Sequence, residues 1–358
     1  MSTSNNAPET AGRGTSASRH DVDLSKLLSK LLRHKAVELG TPIAADGWVA
    51  LSDALAQVNG QRLRSIVGNA DSLSSRAYTA DDVIAVIAAD DKQRFECSTD
   101  GTRLRAAQGH TMAGVAEAVG EPLTPDTAPA VAVHGSYIDH LDSILSGGLK
   151  RMARHHVHLA KGLLGEAGVI SGMRRNAELF IWVNVREALE DGLRFFESAN
   201  GVILGDGRDG DGVIPSKYFS VVIELRGGLC LHAAQVRLLQ RAFAGCLRVA
   251  VTKLHGGFSG SLVLKTDAYG ADGSRDEPSV TKLDSAAMMM EEVERTRAVA
   301  ALIGDGVTQV VRGPLVCDAS GREKQIASAP CSTATAADEA ATDDDFACVV
   351  LDLAGACW

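Results

Sequence analysis

Between positions 130 and 230 the chain repeats one kind of segment: VAVHGSY, HHVHLA, ELFIWVNV, NGVILG and YFSVVIEL are short apolar or alternating runs, separated by turn residues. Such runs are too brief for helices and read as strands, whose apolar sides must share a core. Only IDHLDSILSGG breaks the series, with helical spacing. The stretch 130–230 is therefore expected to be a mostly β domain.

Upstream the period changes. In DLSKLLSKLLRHK, Leu24, Leu27, Leu28, Leu31 and Leu32 fall at i, i+3, i+4, i+7 and i+8, one apolar stripe of a helix that Asp23 could cap. GWVALSDALAQV reads as a short strand, a Ser52 cap and a second helix, and YTADDVIAVIAAD as a third. RFECSTDGTRLRAAQ places two β-like runs around Asp100-Gly101, a hairpin signal. Three helices and a hairpin suggest a winged-helix module over 21–115. MSTSNNAPETAGRGTSASRH, residues 1–20, reads as a disordered leader, and the proline-rich EPLTPDTAP marks a linker within 116–129. The fold class expected is α+β, with a further α+β segment over 231–358. HAAQVRLLQRAFAGC is expected to be a helix at its start.

With 45% hydrophobic residues, the 358-residue chain is not globally disordered. Its formal charge of −9 would argue against nucleic acid, but the acid is concentrated late, as in ADEAATDDDF. From His134 to Arg175 six Lys/Arg stand against three Asp/Glu, so a basic site fits inside an acidic protein. Seven scattered cysteines (97, 230, 246, 317, 331, 348 and 357), never in a C-x-x-C pair, favour a reducing compartment over a disulfide framework or zinc knuckle. No run reaches the roughly 18 to 20 apolar residues of a membrane span. An intracellular protein, cytoplasmic or nuclear, is expected, without membrane attachment and as a monomer.

Unusual polar residues gather in four places: LLRHK (Arg33, His34), KQRFE (Arg94), HGSY (His134, Gly135, Ser136) and MARHHVHLAKGLLGEAGVISGMRR, which runs from Met152 through Arg154 to Arg175. An Arg-His pair at a helix end can simply complement the macrodipole, and Arg94 can be a surface residue. In MARHHVHLAK, alternation puts His156 and His158 on one strand face and His155 on the other. Zinc could use H-x-H but would need a third ligand, and Arg151, Arg154 and Lys161 would repel a cation. Arginine forks suit carboxylate or phosphate, so the cluster reads as anion-handling, with no metal.

Taken together, LSKLLSKLLRHKAVELG, GWVALSDAL, DKQRFE, DGTRLRAAQGHT, HGSY, MARHHVHLAKG, VISGMRR, NGVILG and IPSKYF resemble, in order from about residue 22 to 226, the signature blocks of the RNA 2′-phosphotransferase family. That family's C-terminal half is similar to ADP-ribosyltransferases. The resemblance implies a metal-independent, two-step reaction with NAD as co-substrate. An internal RNA 2′-phosphate, typically on a spliced tRNA, displaces nicotinamide to give 2′-phospho-ADP-ribosyl RNA. A ribose hydroxyl then takes the phosphorus, leaving a 2′-OH on the RNA and ADP-ribose 1″,2″-cyclic phosphate.

The same resemblance puts the family's catalytic Arg-His-Arg-Arg set on Arg33, His34, Arg94 and Arg154. The NAD pocket falls on His134, Gly135, Ser136, His156, His158, Ser171, Gly172, Met173 and Arg174. Ser136 stands where the family most often has threonine; the hydroxyl is kept. RNA phosphates are expected at Arg33, Lys35, Arg103 and Lys150, with a steep salt dependence. The N-terminal module is expected to donate Arg33, His34 and Arg94 to a cleft floored by the second domain. A phosphate is already an anionic nucleophile and needs positioning more than a base. The strand NGVILG accordingly carries Val202 and Ile203 rather than a carboxylate, and His34 is the candidate for proton transfer or for orienting the phosphate.

Beyond residue 230, HGGFSGSLVLKTDA reads as a glycine hairpin, followed by a β run with Lys282 and a Glu-rich helix. This is similar to a truncated small lobe of kinase-like phosphotransferases, with Gly256, Gly257 and Gly260 in the loop and Glu291 or Glu294 as the partner of Lys282. No large lobe follows, so phosphotransfer by this lobe alone is not expected. Two other functions stay open at this point: ADP-ribosyl transfer to nucleic-acid phosphate ends, and a silent RNA-binding adaptor fused to a kinase-like lobe.

Overall fold

The computed structural model describes residues 18–352, except 69–72, 74, 116–118, 167, 171, 256–259, 304–307, 319–322 and 325–344. Its elements are mixed α+β and divide into two compact units, Met1–Glu117 and Ala118–Trp358. Gly256, Gly257, Ser171, most of the leader, most of the late acidic run, Cys331 and Cys357 lie outside the described residues.

The first unit opens with helix α1, Arg19–Lys30, which starts earlier than the Asp23 cap would allow. Ser18 is the N-cap, and it exchanges hydrogen bonds with Asp21 in a capping box. Asp23 is instead buried inside the helix, and Arg19 and His20 belong to it rather than to a disordered leader. The leucine stripe is fully buried, as its spacing requires. Strand β1 (Val49–Ala50) runs straight into α2 (Leu51–Asn59), whose N-cap is Ala50, not Ser52. Leu51 N–H is taken by Thr102 O at 2.8 Å, so the turn Ser52 would have capped never forms. A helix missed in the sequence, α3 (Gln61–Val67), precedes α4 (Ala80–Ala88), which Thr79 and Asp82 cap reciprocally. The expected hairpin is present as β2 (Phe95–Cys97) and β3 (Arg103–Ala106), and β1 adds to it in the order β1-β3-β2.

In the second unit the supposed linker contributes a strand, β4 (Val119–Pro122), paired to β9; Pro122 sits at its last position, where a missing N–H costs little. The order continues with β5 (Val133–Ser136), α5 (Leu141–Gly147), β6 (Leu149–Lys150), β7 (Val157–Leu159), β8 (Leu179–Val183), α6 (Val185–Glu190), β9 (Arg194–Ser198), β10 (Ile203–Gly207), β11 (Val213–Ile214) and β12 (Phe219–Arg226). There follow α7 (Ala233–Ala242), β13 (Arg248–Lys253), β14 (Leu262–Tyr269), β15 (Ser279–Ser285), α8 (Ala286–Ile303), β16 (Val310–Cys317), β17 (Glu323–Lys324) and β18 (Phe346–Asp352).

A four-stranded sheet, β4-β9-β10-β7, faces a core that includes Leu159, Phe195 and Ile203. The described residues also form a nine-stranded sheet, β17-β16-β18-β15-β14-β13-β12-β8-β5. The sequence suggests a boundary near 230, yet β12 pairs in parallel with β13, from Val222↔Arg248 to Arg226↔Thr252. Helix α7 is the crossover between them, and its Ala234, Val236, Leu238, Leu239 and Ala242 share one core with Phe180 and Trp182 on one side and Cys317 and Cys348 on the other. Glu224, fully buried in β12, is paired across that junction with Arg248 at 2.5 Å.

Candidate active site

In the first unit, LLRHK is not the end of a regular helix. Leu31–Lys35 form a π-helical turn, closed by Ala36 N–H to Leu31 O at 2.9 Å. Such turns widen the helix by one residue and re-aim its side chains. His34 Nδ1 lies 3.0 Å from Thr111 Oγ1, and Thr111 N–H bonds Arg33 O at 2.9 Å. Gly109 beside Arg33 takes φ +90°, a backbone conformation that favours glycine, and a Cβ there would meet Arg33 Nε at an ordinary contact distance of 3.6 Å.

Arg94 is anchored from the other end of the same segment: Ala107 N–H donates to Arg94 O at 2.9 Å. Its guanidinium is gripped by Asp90, Nη2 to Oδ1 at 2.8 Å and Nε to Oδ1 at 3.0 Å, and Asp90 is only 1% exposed. Residues 107–111 thus tie Arg33, His34 and Arg94 into one group. Sequence reasoning overlooked Thr111 and Asp90. Thr111 stood inside the quoted block DGTRLRAAQGHT, and Asp90 precedes Arg94 by four residues.

Two of the expected phosphate contacts also have partners within the chain. Lys35 pairs with Glu38, whose carboxyl it holds below the usual range, and Arg103 lies 5.5 Å over the Trp48 ring beside Arg105.

In the second unit, β5 carries His134, Gly135 and Ser136. His134 Nδ1 is 2.9 Å from His158 O, and His158 Nδ1 is 3.0 Å from His156 O. A carbonyl can only accept, so each Nδ1 bears the proton. Burial, followed by the charges of Arg154 and Arg174, pushes the His134 pKa below its ordinary 6.5, against the pull of the His158 carbonyl. His134 is therefore a neutral imidazole with its Nε2 lone pair available. His156 meets the Phe196 ring edge-on at 5.9 Å. The histidines do not converge, and no group of three His, Cys, Asp or Glu side chains able to hold a metal occurs among the described residues.

Arg154 is exposed in a turn, where Arg151 Nη1 donates to its carbonyl at 2.8 Å. Lys150 is exposed on β6, which pairs with β11. At the end of β5, Arg174 Nη1 donates to Tyr137 Oη at 3.2 Å and depresses that phenol's pKa. The loop bearing Gly172, Met173 and Arg174 closes on β5 and Ala160. A Cβ on Gly135 would lie 2.5 Å from Met173 Cγ, and one on Gly172, at φ +104°, would lie 3.0 Å from Ala160 Cα. Val202, just before β10, and Ile203, its first residue, are fully buried.

Residues 19–207 match the family described as RNA 2′-phosphotransferase, Tpt1 / KptA family. The chain belongs to this family. It is 44% identical over 230 residues to tRNA 2′-phosphotransferase 1 of Bos taurus, covering 61% of this chain and 84% of that protein. It is 41% identical over 229 residues to the Homo sapiens protein of the same name, with the same coverage, and 33% identical over 195 residues to tRNA 2′-phosphotransferase of Saccharomyces cerevisiae, covering 52% and 79%. As a family member, the chain is a phosphate-transferring enzyme acting on RNA. Both residue groups above fall within the matched region.

Proposed function

We propose that this chain removes an internal 2′-phosphate from spliced tRNA with NAD as co-substrate, using Arg33, His34, Arg94 and Arg154. The observation that carries the reading is the joining of Arg33, His34 and Arg94 through residues 107–111, two cations and a titratable imidazole held on one short segment. Helices α1–α4 with the sheet β1-β3-β2 support a winged-helix-like first unit, and the β5-β8-β12 strands with β4-β9-β10-β7 support an ADP-ribosyltransferase-like second one.

The second unit's donor set fits a dinucleotide. Neutral His134 can accept a hydrogen bond from an amide or hydroxyl, and Arg174, oriented by its bond to Tyr137 Oη, can donate to a pyrophosphate. Gly135, Ser136, His156, His158, Ser171 and Gly172 complete the proposed NAD pocket. Bound NAD would supply a ribose carbon that loses nicotinamide and a hydroxyl that takes the phosphorus. The arginines orient the RNA phosphate and offset its charge. His34, fixed by Thr111, steers it and passes to the RNA 2′ oxygen the proton that the attacking ribose hydroxyl gives up. Lys35, Arg103 and Lys150 contribute the salt-sensitive part of RNA affinity. The reading carries an intracellular location, cytoplasmic or nuclear, a monomer and metal independence with it.

For the extension, the strand order β13-β14-β15-β18-β16, with α8 between β15 and β16, supports a kinase-like small lobe. Lys282 of β15 meets Glu292 at 2.5 Å; Glu292, not Glu291 or Glu294, is its partner, and Glu291 pairs with Arg295. The strand passes into α8 without an intervening loop.

The test incubates the whole chain with NAD and an oligoribonucleotide bearing an internal 2′-phosphate. Release of ADP-ribose 1″,2″-cyclic phosphate, unaffected by chelator and abolished by Arg154→Ala, is expected. A stable ADP-ribosylated oligonucleotide would move the assignment to ADP-ribosyl transfer, and binding without any turnover would move it to an adaptor.

A further inference from the structure

Arg237, in α7, lies outside the matched residues 19–207. Its guanidinium forms a two-pronged pair with Glu166, Nε to Oε1 at 2.9 Å and Nη2 to Oε2 at 2.7 Å, and the two side chains are 9% and 10% exposed. Glu166 belongs to the loop that leads from β7 to Gly172 and Arg174. It accepts the Leu163 N–H at 2.8 Å through Oε2, and its carbonyl accepts the Val169 N–H at 3.2 Å. Gly162 must be bare for this, since a Cβ there would lie 2.4 Å from Glu166 Oε2. Leu163 is buried in the core, and Val169 and Met173 pack against it. The charged pair is thus the polar pin of an otherwise apolar loop seat.

Helix α7 is itself held by the strands beyond 300. Cys317 Sγ lies 3.7 Å from Ala234 O, Cys348 Sγ 3.9 Å from Leu238 O, and Arg312 donates to Ala242 O at the helix C-terminus while lying 5.0 Å over the Phe243 ring. A cation there also complements the helix dipole. Strands β16 and β18 thus hold helix α7, and through Arg237 the helix holds Glu166, which precedes Gly172–Arg174 in the same connection.

We infer that Arg237 is a positioning residue for NAD: through Glu166 it fixes the loop that carries Gly172 and Arg174, and the C-terminal segment is the support of that loop. This rests on the proposed NAD pocket. Neither side chain needs to touch NAD. Removing Arg237 alone leaves Glu166 as a buried charge without its partner, which costs more than neutralising both.

The experiment compares Arg237→Gln, Arg237→Lys and the double variant Glu166→Gln/Arg237→Gln with the wild-type full chain, by NAD titration calorimetry and steady-state kinetics. We expect KM and Kd for NAD to rise about tenfold in Arg237→Gln, with kcat at saturating NAD and KM for the 2′-phosphorylated oligoribonucleotide within about twofold, as loss of loop placement predicts. Arg237→Lys, which keeps the charge but not the fork, falls between the two. The double variant is expected to fold at least as well as Arg237→Gln while still binding NAD more weakly than wild type, so it serves if the single variant fails to fold. Unchanged NAD affinity in a folded double variant overturns the inference. So does a fall in apparent kcat that tracks the folded fraction while both KM values stay at the wild-type level. Wild-type chain that binds no NAD overturns both this inference and the reading beneath it, whereas NAD binding without turnover overturns the reaction alone and leaves the comparison of affinities standing.

Discussion

Thr111→Val removes one oxygen from the first unit and little else. His34 then loses its 3.0 Å contact, while Arg33 keeps the backbone bond from residue 111. One hydrogen bond is worth on the order of 1 kcal/mol, so kcat/KM should drop roughly five- to tenfold with the melting temperature nearly unmoved; single-turnover assays beside thermal melts check this. His134 gives a pH signature. Its pKa is depressed in the folded chain, so below about 6.5 the unfolded chain takes up a proton that the folded chain refuses. The stabilisation is complete above 6.5 and is lost as pH falls from there toward the lower folded value. Melts between neutral and acid pH should show this slope, and it should flatten in His134→Gln. The candidate residues were nameable from their motifs, but their supports were not. Asp90 looks like any helix-end acid until it is found nearly fully buried under Arg94, and Glu166 finds Arg237 at a separation of 71 residues, a distance that no periodicity bridges.

Secondary structure was legible where a period ran long enough. The leucine stripe of α1 and the Asp100-Gly101 hairpin follow from spacing and turn chemistry alone. Helix α3 is only seven residues long, and β4 hides in a proline-rich stretch, so neither offers a repeat to read. The π turn at Leu31–Lys35 is the clearest case. Five residues with one wide hydrogen bond leave no pattern in the sequence, yet they decide where Arg33 and His34 point. A π turn amounts to an α-helix carrying one extra residue. Deleting Lys35 should let the helix close in its ordinary form, keeping the buried leucines in phase while turning Arg33 and His34 away from Gly109 and Thr111. Circular dichroism should stay native, and activity should fall by about a hundredfold or more. A deletion variant that keeps activity would mean that the turn plays no part in aiming those residues.

At the scale of the second unit, the sequence suggested a β domain followed by a separate segment, because the series of short apolar runs and the family's blocks both end near residue 230. What it could not show is that β12 would accept β13 as a parallel neighbour, since such a pairing depends on a crossover helix rather than on local pattern. The consequence is mechanical and kinetic. With Glu224 buried under Arg248 and α7 sharing one core with β8, β13, β16 and β18, the described residues show no hinge between 130–230 and those that follow. Amide protons of β8 and β13, on either flank of β12, should therefore exchange with deuterium through the same opening and with the same free energy. Exchange in β13 that is much faster than in β8 would reveal a seam. Without one, a chain pulled apart from its ends should release this whole plate in a single rip.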